Sequence, residues 1–155
     1  MSTIDEVYTS LSINSKAEIL DESMNILRAE RELSLLIMPK ANAFVWECCA
    51  KVLSEKTDEE LQPYLYKLLE WLMDLNWPGA LVILDRLKCF SGSKLLLPFS
   101  ACIESAKSLN NDEGNRWLYY LYELLENASL KEILPNHIIE ELQIHRCAMD
   151  GLDED

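Results

Sequence analysis

Three groups of residues in this 155-residue chain have the types and spacing to do chemistry. His137, Glu141 and His145 recur at i, i+4 and i+8, with Cys147 close behind. On a continuous helix the three would share one stripe and could offer metal ligands. The HExxH zinc signature is absent, so a solvated polar face is the preferred reading and a metal site the alternative. Asp74, between Trp71 and Trp77, could be a catalytic acid beside aromatic rings. A structural role at a chain corner explains it without a substrate. Cys48 and Cys49 are adjacent and could be redox-active. Neighbouring positions on a helix point about 100° apart, which disfavours a disulfide, and no nearby cation marks either thiol as activated. Core packing is the preferred reading.

Nothing else in the chain resembles catalytic machinery. There is no GxxxxGK[ST], GxGxxG or GxSxG segment, and Gly79, Gly92, Gly114 and Gly151 are too isolated to cradle a phosphate. Two histidines leave few bases for a nucleophile triad. The expectation is a protein that is not an enzyme and needs no cofactor. The competing enzyme reading is a metal-dependent hydrolase using the His137–Glu141–His145 stripe.

Charge narrows the partners. The chain carries 27 acidic and 14 basic residues, a formal charge of -13, and the basic residues are scattered singly. Such a surface repels nucleic acid and anionic membranes, so neither is expected as a partner. A basic protein partner is the natural reading, and solubility alone is the bland one. Five cysteines without a CxxC pair read as reduced, mostly buried thiols in a cytoplasmic protein. The first residues have no signal-peptide pattern, and no apolar run reaches membrane-spanning length.

The elements that must position these groups centre on residues 68–80. Leu61, Leu65, Leu68, Leu69 and Leu72 recur at helical spacing. Asp74 and Asn76 suit a corner, with Trp77 as the boundary and Pro78 in the first turn of the next helix. Trp71 and Trp77 are both expected in the core. Capping boxes are expected at Ser15/Glu18, Thr57/Glu60 and Ser129/Glu132. Leu33–Met38 reads either as a helix end or as a buried extended link. Val45, Cys48, Cys49, Val52 and Leu53 form one stripe; Leu81, Ile83, Leu84 and Leu87 continue the pattern after the corner. Ser91-Gly92-Ser93 reads as a turn, Pro98 as the first turn of a helix, and Asn110–Asn115 as the clearest loop.

About eight short helices are therefore expected, in an all-α protein. Helical stretches 58–75 and 78–89, then 98–108 and 115–127, suggest recurring pairs. Stacked antiparallel pairs of this kind make a short α-solenoid of the HEAT type; a compact helical bundle is the alternative. Residues 1–155 read as one domain, with a helical extension over 1–35, a repeat core over 36–142 and a frayed acidic tail over 150–155.

The segment Trp71-Leu72-Met73-Asp74-Leu75-Asn76-Trp77-Pro78 resembles the W-L-x-D-x-N-W-P hallmark of a bacterial family of small helical proteins of unknown function. Pro98, Asp112, Glu113 and Trp117 fall where that family has a proline-bearing helix, an acidic turn and a Trp-rich helix. The resemblance covers roughly Leu36 to Leu142. It departs at the insertion-like Ser105–Asn111 and at Trp117-Leu118-Tyr119-Tyr120. It implies a HEAT-like fold and no enzyme activity. In size, charge and architecture the chain is also similar to the immunity proteins that bacteria encode beside polymorphic toxins. That likeness implies a binding protein that neutralises a basic toxin domain, a nuclease being one candidate; a general scaffold or adaptor is the alternative. Candidate contacts are Asp58, Glu59 and Glu60 at one helix start and Asp112 and Glu113 at another, expected on a common rim, with Tyr119 and Tyr122 as aromatic anchors.

Overall fold

The computed structural model describes residues 4–13 and 17–152, and among them there is no strand. The protein is all-α. Helices α1 (Ile4–Ile13) and α2 (Ala17–Ala29) pair with each other and lie on α3 (Ala43–Ser54). Val7, Tyr8, Met24 and Leu27 bury the shared face. The stretch between them is neither of the two expected forms alone. Leu33–Leu36 is a 3-10 turn, Ile37 is extended, and Met38 takes a left-handed φ of 44°. The Tyr8 hydroxyl donates to the Leu35 carbonyl and fastens this link to α1. Asn42 then caps α3, its side chain accepting from Val45 N–H.

The next helical run covers 58–73 in four pieces. They are α4 (Asp58–Leu61), a 3-10 turn at Gln62–Tyr64, α5 (Leu65–Glu70) and a 3-10 turn at Trp71–Met73. The expected Thr57/Glu60 capping box opens it, with both reciprocal bonds formed. Pro63 cannot donate to an i−4 carbonyl, and the backbone there tightens into the 3-10 turn. Beyond the corner follow α6 (Ala80–Lys88), α7 (Gly92–Leu109), α8 (Asp112–Leu121) with its 3-10 continuation Tyr122–Glu126, α9 (Ala128–Ile133) and α10 (Asn136–Leu152). Short 3-10 interruptions divide the described chain into more α-helical pieces than the eight expected. Helix α7 packs against α5, α8 and α9, and α3 packs against α6.

Several local expectations are corrected. Pro78 lies before α6, because Gly79 is the N-cap and Ala80 the first helical residue. Helix α7 starts at Gly92, so Ser91 is its N-cap and Pro98 sits in its second turn. The loop at Asn110–Asn115 shrinks to two residues: Asn110 is left-handed and Asn111 caps α8 through Gly114 N–H. Asp112 and Glu113 form the first turn of α8, where carboxylates suit the helix dipole. The Ser129/Glu132 box does not form; Asn127 caps α9 instead. Asp150–Leu152 belong to α10, and Asp150 accepts a hydrogen bond from Tyr119. The Ser15/Glu18 box and the end of the acidic tail, 153–155, lie outside the described residues.

Asn127 decides how α6, α7 and α9 meet. It is buried; its amide donates to the carbonyls of Leu87 and Phe90, and its oxygen accepts Leu130 N–H. The end of α6 and the start of α9 are thereby closed by one side chain. Gly92 allows the same close approach, since a Cβ there would lie 2.3 Å from the Ser129 backbone. Its N–H donates to Ser129 Oγ. Asn127→Ala should lower the free energy of unfolding by about 1–3 kcal/mol, the cost of a lost cap plus the Phe90 carbonyl left unmet, since the Leu87 carbonyl keeps Phe90 N–H. Urea titration measures it, and Asn127→Asp should not restore the wild-type value, because a carboxylate cannot donate to those carbonyls.

Candidate protein-binding groove

The groove is built outward from the corner. Asp74 accepts Asn76 N–H on its side chain and Trp77 N–H on its carbonyl, at 2.9 and 3.0 Å. Asn76 contributes its backbone N–H. Ala80 N–H returns to the Trp77 carbonyl at 3.1 Å, and Gly79 sits at φ 77°, ψ −11°. Pro78 followed by a left-handed glycine is the sequence of a type II turn. No other residue fits at 79: a Cβ would lie 2.7 Å from Ala50 Cβ. Trp71 is fully buried, and its indole N–H donates to the Pro78 carbonyl at 2.9 Å. Glu47, from α3, accepts Gly79 N–H at 3.0 Å. Trp46 meets both Trp71 and Trp77 edge-on, at centroid distances of 5.6 and 6.2 Å.

Trp77 departs from expectation because it is only half-buried. One side rests on Trp46. The other helps to line a cavity of about 540 Å³ with Ala43, Glu47, Leu75, Leu81 and Val82. A second cavity of about 380 Å³, between α2 and α3, shares Glu47 and Val82 and adds Leu20, Met24 and Phe44. The two make one groove across α2, α3 and the start of α6. Leu81 is 59% exposed and Phe44 37% exposed on it. Leu81 lies off the stripe set by Ala80, Ile83, Leu84 and Leu87, all buried, and that offset was the available signal for an outward leucine. Sequence reasoning missed Phe44, Glu47 and Leu81, because nothing local shows that α3 and α6 lie side by side.

The expected contact residues are scattered by the fold. Asp58 accepts from Arg86 at 2.6 Å and from Ser91 N–H at 3.1 Å. Glu59 pairs with Lys94 at 3.0 Å, and Glu60 belongs to the capping box. Asp112 and Glu113 are exposed, but they lie at the other end of α7. Gly114 backs onto the Ala106 carbonyl, while Glu59 reaches Lys94, and these two α7 positions are roughly 18 Å apart along the axis. The two acidic clusters therefore do not share a rim. Tyr119 and Tyr122 hold α10: Arg146 lies over their rings at 3.8 and 4.9 Å from the centroids, and also pairs with Glu123.

The stripe on α10 is also committed. Glu141 pairs with Lys107 at 2.8 Å, and His145 meets the Asn115 carbonyl at 2.9 Å. His137 is exposed, and no group of three His, Cys, Asp or Glu residues among the described ones is placed to hold a metal ion. Of the cysteines, Cys48, Cys49 and Cys102 are buried, and Cys89 and Cys147 are exposed. Burial pushes the Cys49 and Cys102 thiols up to about 12, so neither is a thiolate at neutral pH.

Residues 47–145 match a protein family described as a domain of unknown function, DUF5071. The chain belongs to this family. The match covers more than half of the chain. It starts inside α3, later than the Leu36 boundary read from sequence, and leaves α1 and α2 outside. The corner and the Glu47–Trp77 half of the groove therefore fall within the DUF5071 span, while Leu20, Met24 and Phe44 do not. No curated protein and no solved structure matches the chain. Among the described residues no helix is long and apolar enough to cross a membrane.

Asp58 is the acidic residue whose role changes most. Partial burial raises its pKa, but Arg86, the Ser91 N–H and Lys94 outweigh that and hold it below the ordinary carboxylate range. A depressed folded-state pKa contributes stability above the unfolded value of about 3.9 and loses it as pH falls through the folded value. Asp58→Asn should cost about 1–2 kcal/mol at pH 7. Urea midpoints measured from pH 7 to pH 2 should show that gap closing only below about pH 4.

Proposed function

We propose that this chain is a non-catalytic protein-binding module that captures a basic protein domain, in the manner of an immunity protein neutralising a bacterial toxin. The observation that carries the proposal is the groove of Phe44, Trp77, Leu81 and Val82, set in a chain of formal charge -13. An aromatic held from behind in an apolar cleft is what an interface hot spot needs. The excess of carboxylates, the exposed Asp112 and Glu113 among them, speeds encounter with a basic partner over a Debye length. The packing of α5 on α7, and of α7 on α8 and α9, supports a short HEAT-like stack as the scaffold.

Co-expression with the C-terminal domain of the protein encoded beside it tests this reading. Protection of the cells, with a complex on gel filtration that weakens as salt is raised, is the expected result. An undiminished toxic effect with no complex at low salt contradicts it.

A further inference from the structure

The corner half of the groove has a chemistry of its own. Three of the four indoles spend their N–H on a backbone carbonyl: Trp46 on Pro39, Trp71 on Pro78 and Trp117 on Leu69. Trp77 gives its indole N–H to no partner among the described residues, and its half-exposed ring lines the cavity. Among the described residues, Glu47 is the only charged side chain lining that cavity. One of its oxygens accepts Gly79 N–H, which anchors the carboxylate at the groove wall. Leu75, Leu81 and Val82 supply apolar wall around it. Asp21, Arg28 and Lys51 line the adjoining cavity and not this one, and Arg28 is already paired with Glu55 at 2.8 Å.

We propose that this groove takes one arginine side chain of a protein partner, with an apolar neighbour of that arginine filling the adjoining cavity between α2 and α3. An anchored carboxylate, an open indole and an aliphatic wall match the three parts of arginine. The guanidinium meets Glu47 by charge-assisted hydrogen bonds and stacks on Trp77, and the methylene stem lies along Leu81 and Val82. Arginine is chosen over lysine because its planar head stacks on an indole while its edge binds a carboxylate. The volume, about 540 Å³, is in the range of ligand sites, roughly 300–1,000 Å³. The adjoining cavity is apolar on Leu20, Met24 and Phe44, and the shared walls Glu47 and Val82 place it next to the arginine head. This inference rests on the protein-binding reading and names the partner's anchoring residue.

The test needs no natural partner, so its failure leaves the co-expression result standing. The full chain, labelled with nitrogen-15, is titrated with acetyl-Leu-Arg-Leu-amide while amide and indole shifts are followed. The control is the same peptide with citrulline, which keeps the shape and loses the charge. Saturable millimolar binding that moves the Trp77 indole and Gly79 amide signals is expected, at least about tenfold tighter than for citrulline. Glu47→Gln keeps an oxygen for Gly79 N–H, so it should fold normally and abolish the preference for arginine. Trp77→Phe should weaken binding without removing that preference. Equal binding of the citrulline peptide, an unaltered preference in Glu47→Gln, or no saturable shift in the millimolar range would overturn the proposal. A lysine peptide that binds more tightly would overturn the assignment to arginine.

Discussion

The fold depends on the need to satisfy one buried polar atom, the indole N–H of Trp71. The side chain is fully buried, and a buried donor without an acceptor costs as much as several ordinary contacts contribute. Its acceptor is the Pro78 carbonyl, seven residues on and across the corner. That bond closes the corner. Closing the corner requires Gly79 to be left-handed and to lie against Ala50, and it sets where α6 begins relative to α3. Glu47 and Trp46, both on α3, then complete the joint from the far side.

The same device recurs at the other end of this layer. The last carbonyls of a helical run have no partner within it. Trp117 gives its indole N–H to Leu69 and Arg116 its guanidinium N–H to Met73, so α8 bonds to carbonyls at the end of the 58–73 run. Asn127 bonds in the same way to the Leu87 and Phe90 carbonyls at the end of α6. Short helices with poor individual stability are thus held by side chains of other helices bonding to their ends, in addition to a common apolar core.

What was legible in the sequence is what local chemistry decides. The Thr57/Glu60 box, the Asp74 turn and the helical stripes from Val45 to Leu53 and from Leu61 to Leu72 depend on neighbours within a few residues. Some misreadings were of element ends by a few residues, as at Pro78 and Pro98; others involve partners distant in sequence. Asp58 resembled a free surface carboxylate because Arg86 is far from it along the chain. Ser129 matched a capping pattern, but Asn127 offered the same cap and could also reach the carbonyls of Leu87 and Phe90. Trp77 read as core because it is a tryptophan beside a buried corner; only the placement of α3 leaves one side of its ring open. Of the candidate site, Trp77 stands out in the sequence as a corner residue, while Phe44, Glu47 and Leu81 become neighbours only through the α3–α6 contact.

Of the corner's two tryptophans, Trp71 thus holds the joint and Trp77 faces the groove. Urea unfolding of Trp71→Phe and Trp77→Phe, each against wild type, measures that division directly. Phenylalanine keeps a ring in place but removes the indole N–H. A loss of about 1–3 kcal/mol is expected for Trp71→Phe, which leaves the Pro78 carbonyl unmet, and under about 1 kcal/mol for Trp77→Phe. Equal losses for the two, or a near-neutral Trp71→Phe, would contradict that division.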